Sequence, residues 1–283
     1  MLGSAMTFTL MTTLIKYLGE DYPAALQTFY RSAATFLVMV PAIVRDPVGA
    51  FATTRPGVLF FRSAAGVIAT IFAFYAYQKM PLAEANALSF TRTLWLVPLA
   101  IFVLHEKVGP RRIIATVVGF LGVLLMLRPA MAESLSLAAM AALASSLLFA
   151  MTVTGMKVMS RDHSTTTLMV WAGSLGLLLS VPPALFVWRW PTMPDLLLLS
   201  LMGVLGAVTQ VFYIKGMTIG DAAAMAPVDY TRLVFAIILG YALFGDVPNS
   251  VTMMGAAIVI GSTLYIAFRE VKQGVKTAPA KDE

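Results

Sequence analysis

Apolar runs of about twenty residues recur along the whole chain, each stopped by a short cluster of charged residues, prolines or glycines. A helix needs roughly 20 apolar residues to cross a bilayer. The runs therefore predict spans near 2–18, 22–44, 57–79, 81–104, 109–128, 135–158, 166–188, 195–216, 221–244 and 250–268. The stops are brief: GEDYP after the first span, RDPVGAFATTRP after the second, HEKVGP after the fourth and SRDHS after the sixth. None leaves room for a soluble domain. The pattern predicts an all-α integral membrane protein of ten transmembrane helices.

Composition agrees and adds an orientation. Of 283 residues, 59% are hydrophobic and 12% charged, with a mean hydropathy of +0.84, well outside the range of a soluble domain. The absence of cysteine excludes disulfides, thiolate nucleophiles and thiolate metal sites. A net charge of +6 would suit nucleic acid, but the basic residues sit beside apolar spans and form no face of their own, so nucleic acid is not an expected partner. The partner they imply is the lipid bilayer. One set of flanks collects Arg45, Arg55, Lys107, Arg111, Arg112, Lys157, Arg161, Lys215, Arg269, Lys272, Lys276 and Lys281, the other only Lys16, Lys79, Arg128 and Arg189. This bias places both termini in the cytoplasm, with the chain in the inner membrane. The first span lacks the basic start and cleavage site of a signal peptide and is expected to stay as a helix.

The first half of the chain recurs in the second. Displaced by 141 residues, Lys16, Asp21 and Pro41 fall on Lys157, Asp162 and Pro182; displaced by 140, Thr91-Arg92 falls on Thr231-Arg232 and Glu106 on Asp246. The expected units are 1–130 and 131–283, the second with a short cytoplasmic tail. Five spans per unit is an odd number, so the second unit enters the membrane from the opposite side. The expectation is two inverted five-helix repeats, a construction that gives carriers two related conformations around one central site.

Charged side chains are costly at the bilayer centre and face a partner, a watery cavity or a ligand there. Arg92 lies eleven residues beyond Pro81, roughly 16 Å at 1.5 Å per residue, too deep to snorkel. Arg232 reaches matching depth in the related span, and Arg31 lies nine residues into the second. Asp229, three residues before Arg232, shares its helical face and can pair with it, as a structural ion pair or beside a substrate. Arg92 has no acid three or four residues away, so its partner must come from another helix, water or a bound anion. Tyr30, Tyr75, Trp95, Trp171, Tyr213 and Tyr230 offer flat apolar faces with one polar handle each, and Gln210 adds an amide inside the eighth span. Helix packing or lipid contact is the alternative reading of each. Gly119, Gly122, Gly203, Gly206, Gly255 and Gly261 are expected to let helices approach, and Pro227 to interrupt the ninth span.

The chain has no GxxxxGK[ST], HExxH or GxSxG and no paired acidic metal motif. An ATP-driven pump, an enzyme, a metal and a cofactor are therefore not expected. Its two histidines, His105 and His163, fall in connections. The stretches YQKMPLAEANAL, LHEKVGPRRIIATVVGFLGVLLM and DYTRLVFAIILGYALFGDVPNSVTMMGAAIVIGSTL resemble the EamA family of the drug/metabolite transporter superfamily. Pro81-Leu82-Ala83, Glu106 and Gly119/Gly122 carry the likeness, which covers nearly the whole chain. It implies a ten-helix carrier whose cavity is lined by spans one to four and six to nine. The YddG-type exporters of amino acids are a similar branch.

The combined expectation is a secondary transporter moving a small amphipathic metabolite, first an amino acid with an aromatic or other apolar side chain, outward by alternating access. Arg92, Arg232 and Arg31 would meet the anionic end, and Gln210 and the six aromatic residues would line the remainder. Asp229 is the candidate proton carrier, although pairing with Arg232 would keep it ionised. An exporter or exchanger of another metabolite or drug, a channel, and a receptor that binds without moving its ligand are the alternatives.

Overall fold

A backbone surrounded by lipid must satisfy its own N–H and C=O groups, which converts each apolar run into a helix. The computed structural model describes residues 2–19, 21–103, 105, 108–131, 137–159, 163–219 and 231–272. Their order is α1 (Leu2–Tyr17), α2 (Ala24–Arg45), α3 (Pro47–Phe51), α4 (Pro56–Lys79), α5 (Leu82–Ser89), α6 (Thr91–Phe102), α7 (Pro110–Met131), α8 (Leu137–Met159), α9 (Thr165–Phe186), α10 (Met193–Ile219), α11 (Thr231–Phe244) and α12 (Ser250–Lys272). No strand occurs among the described residues. Among the described residues, six stretches are long and apolar enough to cross a membrane: Pro56–Lys79, Leu82–Phe102, Leu137–Met156, Thr166–Phe186, Met193–Gln210 and Ser250–Phe268; Thr231–Phe244 is a shorter apolar helix. Large apolar side chains such as Phe61, Phe186 and Leu197 are exposed on the outer surface, as lipid contact requires. The chain is a multi-pass helical membrane protein.

Two local features were not part of the expected pattern. The connection RDPVGAFATTRP contains the short helix α3, where the Asp46 side chain accepts the Gly49 N–H at 2.9 Å and Pro47 occupies the first helical position. The expected fourth span is broken in two. At the break the Phe90 N–H turns to the carbonyls of Ala87 and Leu88, the Ser89 hydroxyl donates to the Asn86 carbonyl (2.7 Å), and the Thr91 hydroxyl lies 2.6 Å from the Leu88 carbonyl. Side-chain oxygens thus take up backbone groups where the turn tightens.

Packing relates the two halves. Helix α4 runs along α8 as α10 runs along α1; α4 meets α9 as α10 meets α2; α6 meets α8 as α11 meets α1. Helices α2 and α9 pack together, as do α7 and α12. Glycines permit the closest approaches: a Cβ on Gly255 would stand 2.6 Å from the Gly122 carbonyl oxygen, one on Gly119 would strike Leu94, and one on Gly203 would strike Ala34. Gly206 lies against Met11 and Arg31. Gly261 departs from the expectation, with no neighbour within 4 Å of its Cβ position, and borders an open groove between α7 and α12.

Candidate functional site

Arg31 on α2, Arg92 on α6 and Arg232 on α11 all line one central cavity of about 200 Å³, space for several waters or a small solute. Arg31 donates to the Thr70 hydroxyl at 3.1 Å and faces the Phe74 ring at 5.8 Å. The Arg232 guanidinium lies 4.2 Å from the centre of the Phe90 ring and 5.0 Å from that of Phe8, a cation–π arrangement that leaves only 8% of the residue exposed. The break between α5 and α6 sets Phe90 against Arg232 and, two residues on, sets Arg92 in the cavity wall. Among the described residues, the Arg92 side chain makes no hydrogen bond, ion pair or ring contact. Its charge faces the cavity.

Neutral polar groups complete the wall. Gln210 and Ser89 line it, as do Ser145 and Ser146 of α8. The Ser145 hydroxyl donates to the Ala69 carbonyl at 2.7 Å, and the Ser146 hydroxyl stands 2.7 Å from that of Thr91, so α8 ties α4 and α6 together behind the cavity. No carboxylate is among the described lining residues, and α7 and α12 contribute none of them. A second cavity of about 170 Å³ shares Arg31, Thr70 and Phe149 with the first and extends along α4 to Arg62 and Ser63.

The opposite end of the bundle is tied shut. Lys16, at the end of α1, forms an ion pair with Asp246, just beyond α11; its ammonium also donates to the Met80 carbonyl (3.2 Å) and lies over the Phe244 ring (4.8 Å). Asp246 accepts the Leu82 N–H at 3.1 Å. Beside them the Tyr22 hydroxyl donates to Asp195 at 2.8 Å and Gln78 donates to the Tyr22 carbonyl at 3.2 Å. These contacts join the ends of α1, α4, α5, α10 and α11 on one side of the bundle.

Of the candidate residues, the structure brings together Arg31, Arg92, Arg232 and Gln210. It places four others elsewhere. Trp95 turns from the cavity to an edge contact with Phe120 on α7, ring centres 4.7 Å apart. Trp171 donates its indole N–H to the Phe51 carbonyl at 3.3 Å. Tyr30 packs against Phe29 (5.6 Å), and Tyr75 against the hydrophobic core. Asp229, Tyr230 and Pro227 lie outside the described residues, as does the Tyr213 side chain. The lining also includes Phe8, Ser89, Ser145 and Ser146, which were not singled out in the sequence. The signal for the serines was present as Ser145-Ser146, a polar pair inside an apolar run.

Sequence comparison places this site in a family. The pattern of the EamA-like transporter family matches residues 1–128 and again 136–268. The chain belongs to the EamA-like transporter family. An EamA-like relative, the S-adenosylmethionine uptake transporter of Rickettsia prowazekii (strain Madrid E), is 29% identical over 269 residues, covering 95% of this chain and 91% of that protein. The riboflavin transporter of Rhizobium johnstonii is 28% identical over 286 residues, covering 98% and 93%. The pseudopaline exporter CntI of Pseudomonas aeruginosa is 26% identical over 278 residues, covering 96% and 95%. One chain of a solved crystal structure shares the fold, with a TM-score of 0.61 at 19% identity over 97% of this chain and 98% of that one.

Proposed function

We propose that the protein is a secondary carrier for a small amphipathic metabolite that bears a carboxylate, built as two inverted five-helix units, 1–130 and 131–283. The observation that carries this reading is the convergence of Arg31, Arg92 and Arg232 on one cavity with no carboxylate among its described lining residues. A cationic wall inside a membrane selects an anionic group, and arginine forks match carboxylates with two parallel hydrogen bonds. Phe8, Phe74 and Phe149 provide an apolar wall beside it. Amino acids with apolar side chains are the first members of this class to test, since Ser89, Ser145 and Gln210 offer oxygen acceptors for an ammonium group.

Alternating access is supported by the pairwise correspondence of helix contacts and the double family match. The cavities extend from the central arginines toward Arg62 and the start of α4, while the Lys16–Asp246 end is closed. By the distribution of lysine and arginine, the closed end is periplasmic and the chain faces the cytoplasm. The relatives include both uptake transporters and an exporter. Direction is therefore assigned here to the solute gradient, with the outward movement implied by the amino-acid exporters as one case.

Counterflow in proteoliposomes tests the proposal. Protein loaded with unlabelled amino acids or other carboxylates should exchange them for external labelled solute saturably. Binding without flux would make the protein a receptor, and flux that never saturates would make it a channel.

A further inference from the structure

The second cavity contains a charged group that the central site does not use. Arg62 and Ser63 line it, and both are more than nine-tenths buried. The Arg62 Cγ and Cδ pack against Gly155 of α8. One terminal nitrogen donates to the Leu168 carbonyl on α9 at 3.0 Å, which fixes the guanidinium. Its Nε nevertheless has no acceptor, and the Ser63 hydroxyl has no partner. The only ion pair among the described residues is at the far end, between Lys16 and Asp246. A buried guanidinium and hydroxyl, both unsatisfied and beside open volume, are a site prepared for an oxyanion.

This site adjoins the central one, with Arg31, Thr70 and Phe149 lining both. Residues 63, 66 and 70 of α4 border the second cavity and 70, 73 and 77 the central one, and their spacing keeps them on one helical face. Arg62 precedes Thr70, the partner of Arg31, by eight residues, about 12 Å along the helix. Between them the lining includes Gly66, Val67 and Phe149 together with Ser32, Thr35 and Thr152; the Thr35 and Thr152 hydroxyls donate to the Arg31 and Leu148 carbonyls of their own helices. The path therefore has a guanidinium at each end and no charged group between.

We propose that Arg62 and Ser63 form a second anion station and that the carried solute is an elongated dianion, with a carboxylate or phosphate at each end of an uncharged middle. This rests on the central cavity being the solute site. The probes are suberate, whose two carboxylates are separated by six methylenes, and octanoate, which lacks the second carboxylate. Their binding to the purified full-length chain in detergent would be measured by titration calorimetry. Suberate is expected to bind at least about tenfold more tightly than octanoate. R62Q should remove that difference and leave octanoate affinity unchanged, R62K should keep most of it, and R92Q should weaken both probes. Equal binding of the two probes by the wild type, or binding of neither, overturns the second station. So does an equal loss of both in R62Q, which would make Arg62 a tether between α4 and α9. Failure of the central site has a different signature, with R92Q binding octanoate as the wild type does. Should R62Q not yield folded protein, S63A decides: the station predicts a narrowed suberate preference with unchanged octanoate binding, and an unchanged preference overturns it.

Discussion

Arg31, Arg62, Arg92 and Arg232 border the two cavities from within apolar helices, and their surroundings assign them different work. Arg92 has no side-chain partner among the described residues and faces the cavity, whereas Arg232 is packed between Phe8 and Phe90 at 8% exposure. Arg92→Gln should reduce counterflow at least about tenfold, the effect of losing one charge-assisted contact of about 1.5–3 kcal/mol, with normal expression and an unchanged thermal unfolding curve. Unchanged transport would remove Arg92 from the site. Arg232→Gln should lower the unfolding temperature as well, because its cation–π contacts are desolvated and together contribute about 2 kcal/mol; calorimetry on the two variants separates these roles. Arg31, Arg92 and Arg232 were legible in the sequence because a charge deep in an apolar run has few explanations. Arg62 was not, since an arginine near a span's start ordinarily snorkels to the headgroups. The aromatic residues illustrate another limit of counting along a helix. Counting gives depth, but the direction in which Trp95 or Tyr75 turns depends on neighbours from other helices.

Helix positions followed from the apolar runs because lipid permits a buried backbone little else, and the boundaries of α4, α8 and α12 lie within a few residues of those expected. The break at Phe90 was hidden, since Ser89-Phe90-Thr91 interrupts neither hydropathy nor helical propensity strongly. Only the hydroxyl contacts to Asn86 and Leu88 show how the turn is stabilised. Glycine spacing was partly informative. Gly122 and Gly255 meet back to back, so Gly255→Leu would force α7 and α12 apart and should destabilise by about 1–3 kcal/mol through overpacking. Gly261→Leu, one and a half turns further along α12 and facing open space, should leave thermal stability nearly unchanged. Equal effects of the two substitutions would mean that helix propensity, not contact, governs this pair.

At the scale of the whole molecule, one end is held by the Lys16–Asp246 ion pair and the other holds the volume. Lys16 and Asp246 link α1 to the end of α11, while the Lys16–Met80 and Asp246–Leu82 contacts add the junction of α4 and α5. Opening this end must separate them. Their side chains are 14% and 15% exposed, so the pair is partly screened and its loss should shift the balance by about 1 kcal/mol, roughly fivefold in the population open at that end. The absence of native cysteine makes the shift measurable with one introduced thiol. Ser89 lines the central cavity, and Ser89→Cys in sealed vesicles should react with a membrane-impermeant maleimide from the Arg62 side and slowly from the other. Asp246→Asn on that background should raise the slow rate about fivefold and lower the fast one. The exchanged pair Lys16→Asp with Asp246→Lys should restore the original asymmetry, because the joint depends on opposite charges and not on which helix carries which. If Asp246→Asn speeds labelling from both sides alike, the bundle has loosened and the joint is not a gate. If it changes neither rate, the Tyr22–Asp195 and Gln78–Tyr22 contacts alone hold this end closed.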